Sequence, residues 1–270
     1  MKKCVIFYNE EKKNAVINYE KIKDFLQREN IEILSAFDIK NADFAVVIGG
    51  DGTLLRATKK IIQNKDIVVI AVNAGNLGFL TEIKAEEGID ACKSYLKGDY
   101  DIDSRGLLDI TINGETKNAL NEVVISNGGM ARKPVRIGMY SKRGKINCYR
   151  GDGVIISTPT GSTAYSLSAG GPIISHYLDA VLITPIAPHN LTTRPIVIDT
   201  KNNICVKVEE ELGSERECFA IVDGEMWKKV TKEDRIEVKY SEKRLKLLLS
   251  KNRNYFSVLK EKLKWGDNLC

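Results

Sequence analysis

The sequence predicts an α/β N-terminal domain with a doubly wound, mainly parallel sheet, plus an antiparallel all-β C-terminal domain. Three observations predict it. Over the first hundred residues, short β-branched runs alternate with helical stretches. After about Asp103 the pattern changes to closely spaced strands separated by Gly, Asp, Asn and Lys-Arg turns. A chain of 270 residues is long enough for two modest domains, each with its own apolar core. The expected division is 1–103 for the α/β domain and 104–252 for the β-rich domain, with a C-terminal helix in 253–270 packing back on the first.

In order along the chain, "CVIFY" (4–8), "IEILSA" (31–36), "DFAVVI" (43–48) and "IVVIAV" (67–72) read as strands. The last two are almost wholly apolar, as a sheet covered on both faces requires. Between them, Val16, Tyr19, Ile22, Phe25 and Leu26 recur at helical spacing, and "TLLRATKKIIQN" (53–64) repeats that pattern. The second half offers "LLDITING", "PVRIGMYSKRGKINCYRGDGVIIS", "CFAIVDGEMWKKV" and "RIEVKYSEKRLKLLLS", then an amphipathic "NYFSVLKEKLKW" (254–265) with helical spacing. The basic region from Lys228 to Arg253 alternates with apolar residues and reads as the wet face of strands.

Composition narrows the function. Apolar residues make up 43% and charged residues 29%, as in ordinary globular proteins. Lys and Arg outnumber Asp and Glu by 41 to 36, so the net charge of +5 suits small phosphorylated ligands but is too thinly spread for a nucleic-acid groove. The apolar run at the N-terminus, Cys4 to Tyr8, is too short for a signal peptide or a membrane span, which places the expected location in the cytoplasm, without a membrane partner. Six scattered cysteines without a C-x-x-C pair read as reduced thiols, and two histidines, His176 and His189, give no cluster for a protein-built transition-metal site. A Mg²⁺ carried in on a nucleotide needs few protein ligands.

The most informative stretch is "VVIGGDGTLLR" (46–56), in which Gly49, Gly50 and Gly52 surround Asp51. An Asp-Gly hairpin turn is one reading. The helical spacing after Gly52 favours another, a strand–turn–helix whose phosphate loop comprises Gly49, Gly50, Gly52 and Thr53 at a helix N-terminus. It is not a P-loop, since no G-K-[ST] follows, nor a G-x-G-x-x-G fingerprint, since Leu55 stands at the third glycine. A carboxylate in an anion cradle repels phosphate unless a Mg²⁺ or a transferable proton lies between them. Asp51 therefore points to phosphoryl transfer, accepting the proton of an attacking hydroxyl.

Together with "GGDGT" at 49–53, "NAGNLGFLTE" at 73–82, "NEV" at 121–123, "GDGVIISTPTGSTAYSLSAGGP" at 151–172 and "PIAPHNLTTRPIV" at 185–197, the chain resembles the NAD kinase family over nearly its whole length. The resemblance implies transfer of the γ-phosphoryl of ATP, or of inorganic polyphosphate, to the adenosine ribose 2′-hydroxyl of NAD, forming NADP. It implies a divalent cation with the donor (Mg²⁺, with Mn²⁺ as alternative), catalysis in a cleft between the domains, and assembly as a homodimer or homotetramer. It makes Asp51 the proton acceptor, puts Gly52 at the dinucleotide and Arg56 near phosphates; Arg56 also reads as a solvated helix residue.

The remaining residues carried over by the resemblance each keep a second reading. Asn121 and Glu122 are implied to bind NAD, an amide suiting an adenine edge and a carboxylate suiting ribose hydroxyls, while by position alone they read as a turn or strand edge. Arg132 is implied to reach the dinucleotide from this chain or a neighbour, or is an exposed loop charge. Arg150 and Asp152 are implied to line the dinucleotide site, or sit in a solvated β-turn. Thr160, Ser162 and Thr163 read as N-caps of a helix starting near Ser162, and the family match implies that Thr160 and the run Thr163, Ala164, Tyr165, Ser166, Leu167 and Ser168 contact NAD. Ala187 is small enough to let a ring approach, and His189 beside it reads as structural. The family commonly has D-G-Q where this chain has Asp223-Gly224-Glu225, so Glu225 is a candidate contact that cannot donate as an amide does; as a sequence it is an Asp-Gly hairpin. A lipid or sugar kinase with the same GGDG loop, and a catalytically silent NAD(P) sensor, are the competing functions.

Overall fold

The computed structural model describes residues 1–76, 78–128, 133–209, 217–249 and 255–264. Arg132 lies outside the described residues. The chain divides into two units: Met1–Ser104 with Arg244–Cys270, and Arg105–Lys243.

In the first unit, β1 (Lys3–Tyr8), α1 (Lys13–Arg28), β2 (Glu32–Leu34), β3 (Phe44–Gly49), α2 (Asp51–Ile61), β4 (Val68–Asn73), β5 (Ile83–Lys84) and α3 (Gly88–Lys97) follow one another. The strands pair in parallel in the order β2-β1-β3-β4, with β5 against the end of β4. The expected strand at 31–36 is shortened at its end: the Ser35 hydroxyl accepts the Phe37 N–H at 3.3 Å and starts a 3₁₀ turn over Ala36–Asn41. Alternate residues Phe44, Val46 and Ile48 of β3, with Val68, Ile70 and Val72 of β4, join Ile22 and Leu26 of α1 and Cys92 and Tyr95 of α3 in one core. The Phe44 and Tyr95 rings pack with centroids 4.4 Å apart, and the Tyr95 hydroxyl donates to the Asp43 carbonyl at 3.0 Å. Burial pushes the Cys92 thiol up to about 12, so it acts here as a small apolar group.

The second unit contains the greater part of β6 (Ile102–Ile112), then β7 (Glu115–Ala119), β8 (Glu122–Ser126), β9 (Val135–Ser141), β10 (Gly144–Gly151), β11 (Gly153–Ser157), the single turn α4 (Tyr165–Ser168), β12 (Ala180–Ile186), β13 (Ile196–Asp199), β14 (Ile204–Val208), β15 (Cys218–Val222), β16 (Glu225–Val230) and most of β17 (Ile236–Leu248). One sheet runs β13-β12-β11-β8-β15-β16, antiparallel throughout. The other holds the antiparallel neighbours β10-β9-β14-β17, with the β6–β7 hairpin beside β17. Their inward alternate residues, among them Ile125, Val154, Ile183, Ile137, Val206 and Val238, form a shared core, as in a sandwich.

The last residues of β17 belong to the first unit, where Lys246 and Leu247 pair in parallel with Val68 and Val69 of β4. The helix expected at 254–265 is α5 (Tyr255–Leu263), whose Val258 and Leu259 are buried. No described helix is long and apolar enough to cross a membrane.

Two features of this topology position the candidate site. In the first unit the strand order reverses between β1 and β3, so the chain leaving β3 at Gly49 enters the crevice where parallel sheets bind ligands. In the second, β8 and β11 are central and adjacent, which buries the start of β8.

Candidate active site

The glycine-rich turn is a strand–turn–helix, not a hairpin. Gly50 takes the extended N-cap position and Asp51 is already the first helical residue of α2. Its carboxylate does not project freely. Oδ2 accepts the Phe79 N–H at 2.8 Å, and Oδ1 accepts the Leu80 N–H at 3.1 Å, the Thr81 N–H at 3.1 Å and the Thr81 hydroxyl at 3.0 Å. Thr81 is fixed in turn, because its Oγ1 accepts from Asn73 Nδ2 at 2.9 Å, and Asn73 Oδ1 accepts the Gly75 N–H at 2.7 Å. Gly78 is required by space: a Cβ there would overlap the Asp51 carboxylate, its Cγ lying 2.5 Å away. Thus Asn73, Phe79, Leu80 and Thr81 of "NAGNLGFLTE" hold Asp51. Asn73, Gly78 and Thr81 carried no individual role in the sequence, because a contact across about thirty residues leaves no local pattern.

Gly49 packs against the Thr53 side chain, whereas a Cβ at Gly50 would meet nothing, so one face of the turn is open. Arg56 is exposed on the next turn of α2 and, with Tyr8, Thr53 and Lys60, lines a cavity of about 380 Å³. Asn73 also borders a polar cavity of about 410 Å³ with Asn14, Gly75, Asn76, Lys84 and Glu261. Among the described residues, no group of three or more His, Cys, Asp or Glu side chains is arranged to hold a metal ion.

In the second unit Asn121 lies in the bend that precedes β8, as the turn reading has it, whereas Glu122 is not at a strand edge. Glu122 opens the central strand β8, only 6% exposed, because β11 and β15 flank it on both sides. The Asp223 carboxylate accepts the N–H groups of Leu120 at 2.8 Å, Asn121 at 2.8 Å and Glu122 at 3.2 Å. The carbonyls of the same turn are bound by Thr158, whose hydroxyl donates to the Leu120 carbonyl at 2.6 Å and whose N–H donates to that of Asn121 at 2.9 Å. Gly161 lies so close to the Asn121 backbone that any side chain would collide with it.

Burial, reinforced by the neighbouring Asp223 carboxylate and opposed by the Tyr165 N–H, raises the Glu122 carboxyl to about 8. Glu122 Oε2 and Ser157 Oγ are both buried without a hydrogen-bond partner among the described residues, and the two residues are direct cross-strand neighbours. Two such oxygens on one face form a place for a hydroxyl or a water.

The hydroxyl-rich segment differs from expectation. A 3₁₀ turn over Thr160–Thr163 precedes the one-turn α4, and their N-cap positions are Pro159 and Ala164, neither with a side-chain cap. Thr160, Ser162 and Thr163 therefore do not cap. The Ser162 hydroxyl is committed to the loop beyond, donating to the Pro159 carbonyl at 2.6 Å and accepting the Ile174 N–H at 3.0 Å, while Thr163 donates back to the Thr160 carbonyl at 3.3 Å. Ser166 is buried and shares a hydrogen bond with Thr184 at 2.8 Å. Tyr165 and Ser168 are exposed and Ala164 and Leu167 half-buried.

Arg150, Asp152 and Ala187 come together elsewhere. Asp152 donates its N–H to the Ile186 carbonyl at 3.0 Å and accepts from Asn127 Nδ2 at 3.2 Å, and the Arg150 carbonyl accepts the His189 N–H at 2.9 Å. Ala187 has φ of 42°, unusual for a residue with a Cβ. This cluster sits at the start of β11 and Glu122 beside its end, a separation of roughly 17 Å at strand spacing. Glu225 is exposed at the start of β16, after a turn with Asp223 at φ 47° and Gly224 at φ 80°, so the Asp-Gly hairpin reading holds there.

Residues 4–100 match the ATP-NAD kinase N-terminal domain and residues 120–250 the ATP-NAD kinase C-terminal domain. The NAD kinase of Fusobacterium nucleatum is 44% identical over 273 residues, covering 100% of both chains, and that of Geobacter sulfurreducens is 41% identical over 233 residues, covering 84% of this chain and 80% of its own. Among solved structures, an NAD kinase from Archaeoglobus fulgidus in complex with ATP superposes with a TM-score of 0.77 at 26% identity, over 98% of this chain and 99% of its own. Yeast NADH kinase complexed with NADH shares the fold with a TM-score of 0.91 at 20% identity, over 100% of this chain and 89% of its own. By both domain matches and by relatives that it covers end to end, the chain belongs to the ATP-NAD kinase family.

Proposed function

We propose that this NAD kinase carries out its transfer with Asp51 as proton acceptor. The observation that carries the reading is a carboxylate anchored at the open face of a glycine-rich strand-to-helix turn. Oδ1 is saturated, but Oδ2 takes one hydrogen bond from the protein and keeps a lone pair for a substrate proton. In the reaction the 2′-oxygen of the adenosine ribose of NAD bonds to the γ-phosphorus of ATP, the bond from that phosphorus to the bridging oxygen breaks with its electron pair going to ADP, and the hydroxyl proton passes to Asp51. The first N–H groups of α2, with Gly49, Gly50, Gly52 and Thr53, and the Arg56 guanidinium favour the phosphates.

Asn121 and Glu122 bind the acceptor, with Thr160, Thr163 and the Ala164–Ser168 turn beside them and Glu225 at the rim. A protonated Glu122 offers one donor and one acceptor to ribose hydroxyls, which a carboxylate does not. A divalent cation would be held mainly by donor phosphates and water, as Mg²⁺ prefers. That cation supplies counter-charge to the phosphates. Arg150, Asp152 and Ala187 stand too far along β11 to act with Glu122 on the same ribose, so we assign them to the site of a second copy in a homodimer or homotetramer. We place the enzyme in the cytoplasm, where ATP and NAD are supplied.

Four outcomes are expected. NADP formation stops in excess EDTA and returns with Mg²⁺ or Mn²⁺; full turnover in EDTA would remove the metal from the account. Asp51→Asn lowers kcat by roughly 10²- to 10⁴-fold. Because an amide turns a donor toward N–H groups of residues 79–81, it also costs about 1–3 kcal/mol of stability. Thr81→Val, which loosens the same anchor but keeps the carboxylate, separates the effects: steady-state kinetics should show a far smaller loss of kcat, and equal losses would sink the proton-acceptor role.

The third outcome concerns pH. The Glu122 carboxyl titrates near 8 in the folded chain but near the ordinary 4.5 when unfolded, so between these values the folded state binds the extra proton and stability falls as pH rises. Glu122→Gln should melt close to the parent at pH 5 and above it at pH 8; parallel melting curves across that window would contradict a buried, protonated Glu122. Finally, sedimentation at micromolar concentration should give a dimer or tetramer, and a stable, active monomer would overturn the two-copy assignment.

A further inference from the structure

Asp223 has no role in the chemistry described so far, and its Asp-Gly turn is sufficient for a hairpin. Its side chain nevertheless does something that a hairpin does not require. The carboxylate reaches 101 to 103 residues back along the chain to gather three consecutive N–H groups, those of Leu120, Asn121 and Glu122, at 2.8, 2.8 and 3.2 Å. The Asp223 N–H donates to the Glu122 carbonyl at 3.0 Å, which ties the two segments in both directions. With Thr158 holding the carbonyls of Leu120 and Asn121, the turn is clamped on both sides.

Asp223 has a left-handed backbone, φ 47°, and from it the side chain reaches that turn. Asp and Asn tolerate this conformation; β-branched residues do not. Among the described residues, Asp223 is the charged group that acts on Glu122, Ser157 of β11 is its cross-strand neighbour, and the Tyr165 N–H reaches it from α4.

We propose that Asp223 is a positioning residue for the acceptor, fixing the Leu120–Glu122 backbone so that the Asn121 and Glu122 side chains are presented in one orientation. The proposal rests on the assignment of Asn121 and Glu122 to NAD. It separates two jobs within one carboxylate: geometry, through the three N–H bonds, and charge, which keeps the proton on Glu122.

Two substitutions distinguish the jobs. Asp223→Asn keeps the shape and the turn but loses the charge and turns a donor toward one N–H; Asp223→Glu keeps the charge but shifts the oxygens by a methylene. The expected result is a KM for NAD raised roughly 10- to 100-fold in both, with kcat changed much less. The basic limb of the kcat/KM profile should move to lower pH in Asp223→Asn and stay in place in Asp223→Glu. Asn121→Ala is the control for the underlying assignment. If it leaves KM unchanged, Asn121 does not hold NAD and the proposal fails with that reading. If it raises KM while both Asp223 variants bind NAD as the parent does, Asp223 alone is misassigned, and a lowered melting temperature would then make it a stability residue only. Should Asp223→Asn yield no folded protein, Asp223→Glu decides by the same KM criterion.

Discussion

A carboxylate receiving three consecutive backbone N–H groups from a distant segment is the interaction on which the candidate residues of each unit depend. Asp51 does this to residues 79–81 and Asp223 to residues 120–122. Residues 79–81 and 120–121 lie outside regular structure and Glu122 is the first residue of β8, and it is the Asp51 and Asp223 carboxylates that take up their N–H groups. Left buried and unpaired, each would cost on the order of 1–3 kcal/mol. One carboxylate serves three of them through charge-assisted bonds and is itself kept from wandering.

The same arrangement explains the glycines beside it. A carboxylate wrapped by backbone leaves no room for a neighbouring Cβ, so Gly78 lies against Asp51, and in the second unit Gly161 lies against Asn121. These glycines permit close approach; Gly50, with open space where a Cβ would be, leaves one face of the turn clear. The consequence is preorganisation. Asp51 sits on the first turn of a helix, anchored by a threonine that an asparagine anchors in turn, and its carboxylate is left little freedom.

Glu122 has the opposite environment. Asp51 is surrounded by donors, whereas Glu122 has a buried oxygen without one and a second carboxylate nearby. Burial and the neighbouring Asp223 carboxylate drive Glu122 toward its protonated form, in which it can donate a hydrogen bond as well as accept one.

The sequence by itself determined the parallel α/β unit, the antiparallel unit, α1, α2, α5 and the strand-to-helix nature of the GGDG turn, because hydrophobic period and turn chemistry are local properties. It also carried the family, since five ordered motifs survive without knowledge of their contacts. Only the tertiary structure decided what Asp223, Thr81, Asn73 and Thr158 do, because each acts on a group 8 to 103 residues away. It moved Glu122 from a turn or edge into the central strand pair, which depends on strand order, and it withdrew the capping role from Ser162, whose hydroxyl is taken by Pro159 and Ile174. Arg150, Asp152 and Ala187 lay in motifs that read as one site, and strand length put them at the far end of β11 from Glu122. Local sequence encodes which element forms; long-range pairing decides which side chain faces which, and that is where the site is made.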